Sequence, residues 1–209
     1  MPAMTHRFTR ALEYAREVHG TQTRKGTEIT YLAHVLGVAS LVLENGGNED
    51  QAIAGLLHDI VEDCGQAHEQ QIREDFGLVV AGIVMDCTDG AAEEKLEAIG
   101  PQEQLLDWKR RKRAFLARLS TASDATLLVS ACDKLYNARA IVADLENPKI
   151  GTSVFKRFKS GREGTLAYYH SLSEVFNYRG SPVAAQLDAA VVRMHVRAGV
   201  GERRGLGMV

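Results

Sequence analysis

Cysteine is scarce in this 209-residue chain: Cys64, Cys87 and Cys132 are the only ones, and none is in a CxxC pair. That argues against a disulfide framework and a thiolate zinc site, and the three read as small core residues of a protein in the reducing cytoplasm. Long hydrophobic runs are missing too. No apolar run approaches the roughly 20 residues that a membrane span needs, so no membrane partner is expected. The opening Met1-Pro2-Ala3-Met4-Thr5-His6-Arg7 lacks the apolar core of a signal peptide. Nor is there an excess of charge of one sign: Lys and Arg total 25, Asp and Glu 27, a formal net charge of -2. No bulk polyanion-binding surface follows, and nucleic acid is not expected as a partner; any nucleotide must be held by local positive charge. Strand-like alternation, internal repeats and low-complexity segments are all absent.

What is present reads as helix. Hydrophobic residues are 45% and charged residues 25% of the chain, ordinary for a globular protein with a sizeable core. Apolar residues at helical spacing predict helices over 5–20, 31–44 and 48–65, then over 68–76 and 78–87 with a hinge at Gly77. Thr88-Asp89-Gly90 reads as a turn and Glu93 to Gly100 as a mobile connection. Further helices are expected over 101–119, from Ser123-Asp124 to Asn147-Pro148, and over 165–176 and 182–198. Gly151 to Gly164 reads as a basic loop. The expected fold is all-α, a single-domain helical bundle over residues 1–198 with its core in about 5–178. Residues 199–209 are expected to form a disordered tail.

Polar groups interrupt this apolar pattern at three places. The first is Leu56-Leu57-His58-Asp59-Ile60-Val61-Glu62-Asp63. On a helix, residues four apart share a face, so His58 falls one turn from Glu62 and Asp59 one turn from Asp63. Ionised groups against a core are costly unless paired or metal-bound. This stretch alone is therefore either half of a metal site or a pair of surface ion pairs. The second is His34, inside the apolar face of 31–44, where a lone histidine is more often a satisfied core residue. The third is Asp133, mid-way along an apolar helix. A bundle can bring all three faces together. Two imidazoles and two carboxylates make a mixed N/O site that suits Mn, Fe, Zn, Ni or Mg better than calcium. Such a site leaves room for a water of lowered pKa able to attack phosphorus. Glu62 and Asp63 exceed what one ion needs and are better suited to orient or deprotonate that water, or to protonate a leaving group.

Two basic segments complete the candidates. Arg24-Lys25 beside Gly26 can lie against phosphate or form a solvated loop. Lys109 to Arg113 are five consecutive basic residues, usually a solvated face; mixed with Leu105, Trp108, Phe115 and Leu119, one or two of them could point into a cleft.

In the order His34 … His58-Asp59 … Asp133 the chain resembles the metal-dependent HD phosphohydrolase superfamily. More narrowly, it is similar to the stand-alone small (p)ppGpp hydrolases and to the hydrolase half of the long bifunctional synthetase/hydrolases. The likeness rests on Gln22-x-Arg24-Lys25-Gly26 after His19, Tyr31-Leu32-Ala33-His34, Gly55 to Asp63, Phe76-Gly77 with Cys87-Thr88-Asp89, and Cys132 to Arg139. It implies an HD-type bundle in which His34, His58, Asp59 and Asp133 hold one divalent ion, usually manganese. Glu62 and Asp63 would be the catalytic carboxylates, and Arg24, Lys25, Lys134 and Asn137 the substrate-binding residues. The implied reaction removes pyrophosphate from the 3′ position of (p)ppGpp, a small-molecule nucleotide, and no synthetase domain is expected. The chain departs from the family pattern at Val35 and Thr30, where prolines are common, and at Ala140 and Ile141. These departures leave open a phosphomonoesterase of the same superfamily, acting on a deoxynucleoside monophosphate or on the 2′-phosphate of NADPH. A nucleotide-binding sensor without turnover is the non-enzymatic alternative.

Overall fold

The structure, a computed structural model, describes residues 4–89 and 100–207. Gly90 of the expected turn and residues 93–99 of the expected connection lie outside the described residues. The described residues form helices and no strand, with one isolated bridge between Thr23 and Thr30. The helices are α1 (His6–His19), α2 (Tyr31–Glu44), α3 (Glu49–Leu57), α4 (Ile60–Cys64), α5 (His68–Cys87), α6 (Pro101–Leu119), α7 (Asp124–Glu146), α8 (Gly161–Tyr178) and α9 (Ala184–Arg197). None of them is long and apolar enough to cross a membrane.

The boundaries follow local chemistry. Thr5 caps α1 by accepting from the Arg7 amide at 3.2 Å. Asn48 and Gln51 form a reciprocal capping box at α3, with bonds of 3.0 and 2.9 Å, satisfying two donors at the helix start. Gly77 bends α5 at φ 90° and ψ 169°, a conformation open essentially to glycine alone.

Two stretches differ from the sequence expectation. The helix expected to run unbroken through 48–65 is interrupted at His58-Asp59, between α3 and α4. His58 Nδ1 donates to the Gly55 carbonyl at 3.0 Å. In an unbroken helix that carbonyl would receive the Asp59 amide, so the imidazole competes with the helical ladder where the ladder fails. The expected loop at 151–164 instead holds a 3-10 turn, Gly151–Arg157, and the first turn of α8. Val154 and Phe155 are buried there and supply the apolar anchors.

The chain divides into two compact units, Met1–Lys95 with Ala122–Asp133, and Leu96–Thr121 with Lys134–Val209. In the first, α3 packs against α1, α2 and α5. The α2–α3 approach is close: a Cβ on Gly55 would lie 3.3 Å from Ala39 Cα. The first turns of α7 belong to this unit and are tied to the end of α5. Thr126 donates to Asp86 at 2.8 Å, and Ser130 Oγ lies 3.2 Å from Cys87 Sγ. In the second unit α8 packs against α6, α9 and the 3-10 turn. Residues 200–207 are non-helical; Leu206 donates its amide to Ser171 at 3.0 Å, and Arg113 donates to the carbonyls of Leu206 and Gly207.

Candidate metal centre

His34, His58, Asp59 and Asp133 come together in the first unit. Each offers one ligand atom, and the four atoms lie within 4.8 Å of one another. His34 Nε2 is 3.3 Å from Asp59 Oδ2 and 3.4 Å from Asp133 Oδ1. His58 Nε2 is 3.0 Å from Asp59 Oδ2 and 3.5 Å from Asp133 Oδ1. Both histidines and Asp133 are buried. The juxtaposition has visible causes. The glycine contact at Gly55 lets α2 bring His34 beside the end of α3. The break after Leu57 turns Asp59 to the same point, and the Thr126 and Ser130 ties fix the helix that carries Asp133.

The donor set fits a divalent ion. His58 Nδ1 needs its proton for the Gly55 carbonyl, so in the neutral ring the Nε2 lone pair faces the Asp59 and Asp133 oxygens that complete the donor set. A backbone acceptor behind a histidine is the usual support of a metal ligand. In the metal-free pocket, burial lowers the His58 pKa, but Asp59 and Asp133 outweigh it and hold the ring well above the ordinary histidine value. Burial likewise raises the Asp59 carboxyl, and His58 and His34 outweigh that, keeping it well below the ordinary range. Protons thus sit where a cation can replace them. Arg24 Nη1 lies 3.5 Å from His34 Nδ1. A guanidinium can only donate, so this contact suits the His34 tautomer with Nδ1 bare. An ion on Nε2 would require the other tautomer and would release Arg24 from the contact.

Around the cluster stand groups whose part spacing alone did not indicate. Tyr31, the first residue of α2, donates its hydroxyl to Asp59 Oδ2 and lies between the rings of His19 and His34, with centroids at 4.7 and 5.2 Å. Gln22 Nε2 donates to Asp63 Oδ2 at 3.0 Å. Glu62 Oε2 accepts from the Asp89 amide at 3.4 Å. Glu62 is half-buried and Asp63 exposed. The one clue to Tyr31 was its place three residues before His34, on the same helical face; Gln22 acquires its contact only when the 20–30 loop folds back.

Arg24 and Lys25 sit on that loop, held by the Arg24 amide on the Ile29 carbonyl at 2.8 Å and the Tyr31 amide on the Gln22 carbonyl at 2.9 Å. Arg24 is half-buried and Lys25 exposed. Lys134 and Asn137 belong to the second unit, where the Lys134 ammonium lies 5.2 Å from the Phe115 ring centroid. Within the basic run, Arg110 and Arg111 pair with Asp107 at 2.6 and 3.0 Å, and the Lys112 ammonium lies 5.2 Å from the Tyr168 ring centroid.

Comparison with known proteins accords with this arrangement. The HD domain family matches residues 11–166. The chain belongs to that family. The guanosine-3′,5′-bis(diphosphate) 3′-pyrophosphohydrolase MESH1 of Xenopus tropicalis is 38% identical over 132 residues, 62% of this chain and 66% of that protein. The guanosine-3′,5′-bis(diphosphate) 3′-pyrophosphohydrolase of Aquifex aeolicus is 34% identical over 67% of this chain and 18% of its own length. The HD chain therefore spans less than two thirds of each of these relatives. In fold it is similar to a solved structure described as a metazoan ortholog of SpoT that hydrolyzes ppGpp, with a TM-score of 0.66 and 23% identity over 96% of this chain and 99% of the other.

Proposed function

We propose that this HD-domain protein is a manganese-dependent cytoplasmic hydrolase that removes the 3′-pyrophosphate from (p)ppGpp, leaving GDP or GTP. The hydrolase domain we assign covers residues 1–198. The observation that carries the reading is the convergence of four ligand atoms within 4.8 Å, with Glu62 and Asp63 on the next turn of chain. The names of the Xenopus and Aquifex relatives support the substrate.

In this reading His34, His58, Asp59 and Asp133 hold one divalent ion. Such an ion supplies Lewis acidity and lowers the pKa of a water. A water oxygen bonds to the phosphorus nearest the ribose, and the bond from that phosphorus to the 3′ oxygen breaks. The water loses a proton and the 3′ oxygen gains one. Glu62 and Asp63 are the groups we assign to these two transfers. Arg24 and Lys25 offset phosphate charge and orient the nucleotide.

Thr30 and Val35, standing where the family often has prolines, favour a second reading: a phosphomonoesterase acting on another nucleotide. One experiment separates the two. The purified protein is incubated with Mn²⁺ and ppGpp, and then with a panel of nucleotides. Release of pyrophosphate and GDP is expected. Release of inorganic phosphate from a different nucleotide replaces the first reading with the second. Metal-loaded protein inert on the whole panel overturns both.

A further inference from the structure

Asp63 is held by a hydrogen bond that comes from outside its own helix. It lies on the five-residue α4, its side chain is exposed, and an exposed aspartate has several staggered rotamers open to it. A group that must take or return a proton needs one of them. Gln22, 41 residues earlier on a loop, reaches it: Nε2 donates to Asp63 Oδ2 at 3.0 Å.

Gln22 is itself held at every point. Its amide donates to the His19 carbonyl at 2.7 Å, and its own carbonyl accepts from the Tyr31 amide at 2.9 Å. Its side-chain Oε1 lies 2.8 Å from His19 Nδ1. An amide oxygen can only accept, so this contact requires a proton on Nδ1, and it fixes which end of the amide faces Asp63. His19 is buried, with its ring tilted 40° to that of Tyr31 at 4.7 Å between centroids. The chain His19–Gln22–Asp63 thus runs from the core to an exposed carboxylate. Gln22 also stands two residues before Arg24 and three before Lys25, so the same loop that carries those cations carries the clamp on Asp63.

We infer that Gln22 is a positioning residue: its hydrogen bond to Oδ2 helps to select the Asp63 rotamer and keeps Asp63 in register with the Arg24-Lys25 loop. His19 acts behind it by holding the amide in the donating orientation. The inference rests on the reading of Asp63 as a catalytic carboxylate.

The test compares manganese-loaded wild type with Gln22→Ala, Gln22→Glu, Asp63→Asn and the Gln22→Ala/Asp63→Asn double variant, using ppGpp. Gln22→Ala is expected to lower kcat about 10–100-fold, the usual cost of losing a supporting hydrogen bond, with metal content unchanged. KM is expected to stay within about 2-fold, because binding is left to other groups. Gln22→Glu is expected to be slower still, since it sets a like charge against Asp63. In the Asp63→Asn background Gln22→Ala is expected to cost nothing further, which a merely structural role would not produce. Wild-type kcat in Gln22→Ala, with Asp63→Asn slow, overturns the inference alone. Wild-type kcat in Asp63→Asn overturns the assignment beneath it. A readout independent of turnover is the side-chain amide resonance of Gln22 in ¹⁵N-labelled protein, identified by its loss in Gln22→Ala. It is expected to move in Asp63→Asn, and an unmoved resonance overturns the contact even if the protein hydrolyses no nucleotide.

Discussion

Tyr31 donates its hydroxyl to Oδ2 of Asp59, the same oxygen that stands 3.3 Å from His34 Nε2 and 3.0 Å from His58 Nε2. One phenol therefore aims a carboxylate at two imidazoles. Burial, and next the charge of Asp59, push the Tyr31 phenol far above its ordinary range, so it remains a donor throughout neutral pH.

Removing that hydroxyl should loosen the ion without unfolding the site. Tyr31→Phe keeps the ring between His19 and His34 and deletes only the bond to Asp59. Manganese affinity, measured by competition with a chelator of known strength, is expected to fall about 10–100-fold. A Kd equal to wild type would show that Asp59 is aimed well enough by the chain break alone.

Two further variants separate chemistry from coordination. Glu62→Gln is expected to cost about 10²–10⁴ in rate while metal stays bound, the range typical of a lost acid or base. His34→Ala is expected to lose the metal itself. If metal content fell with activity in Glu62→Gln, Glu62 would be a ligand; a full equivalent retained by His34→Ala would remove His34 from the coordination set.

Much of the scaffold was legible in the sequence because its signals are local. Tyr31–Glu44 and Pro101–Leu119 have the bounds that periodicity and terminal residues indicate, and Gly77 bends α5 where a hinge was expected. The meeting of His34, His58, Asp59 and Asp133 was legible as three polar interruptions of apolar faces. What was not legible depends on contacts distant in sequence or on competition within a turn. The break at His58-Asp59 arises because a side chain takes the Gly55 carbonyl, and helical periodicity does not register that. Gln22 and Tyr31 acquire their contacts only when the 20–30 loop closes through the Thr23–Thr30 bridge.

Metal removal is expected to lower stability measurably. An ion that binds only the folded chain stabilises it by about 2.7 kcal/mol at a hundredfold excess over Kd. Chelation should therefore lower the thermal midpoint, and added Mn²⁺ should restore it. An unchanged midpoint in protein that demonstrably binds manganese would mean that the unfolded chain binds it as well.

The two glycines of α5 should respond with opposite sign. At Gly77 an added Cβ meets nothing within 4 Å, yet φ 90° and ψ 169° are closed to it, so Gly77→Ala should cost about 1–3 kcal/mol through backbone strain alone. Gly82 is exposed, in open space and in the helix interior, and Gly82→Ala should stabilise by about 0.5–1 kcal/mol. Urea midpoints of the two variants settle the comparison, and equal effects would mean that α5 is not bent at Gly77 in solution.

Acid sensitivity should trace in part to His195, in the second unit. The ring is buried on α9, and Nδ1 lies 2.8 Å from the Val191 carbonyl. Burial lowers its pKa below the ordinary 6.5; Val191 opposes this, and the neighbouring His170 and Arg203 add to it. A histidine with a lowered folded-state pKa takes up a proton more readily when unfolded, so its contribution to stability is present above pH 6.5 and declines as pH falls toward the folded-state value. Asp188, paired with Arg203 at 2.8 Å, has its carboxyl lowered mainly by that bond, so its contribution is lost in a separate, more acidic window below 3.8. Urea midpoints measured from neutral pH down to mildly acidic pH should therefore decline in wild type. The decline should be shallower in His195→Asn, whose amide can still donate to Val191 but does not titrate. An identical slope in the variant would assign the acid loss to other groups.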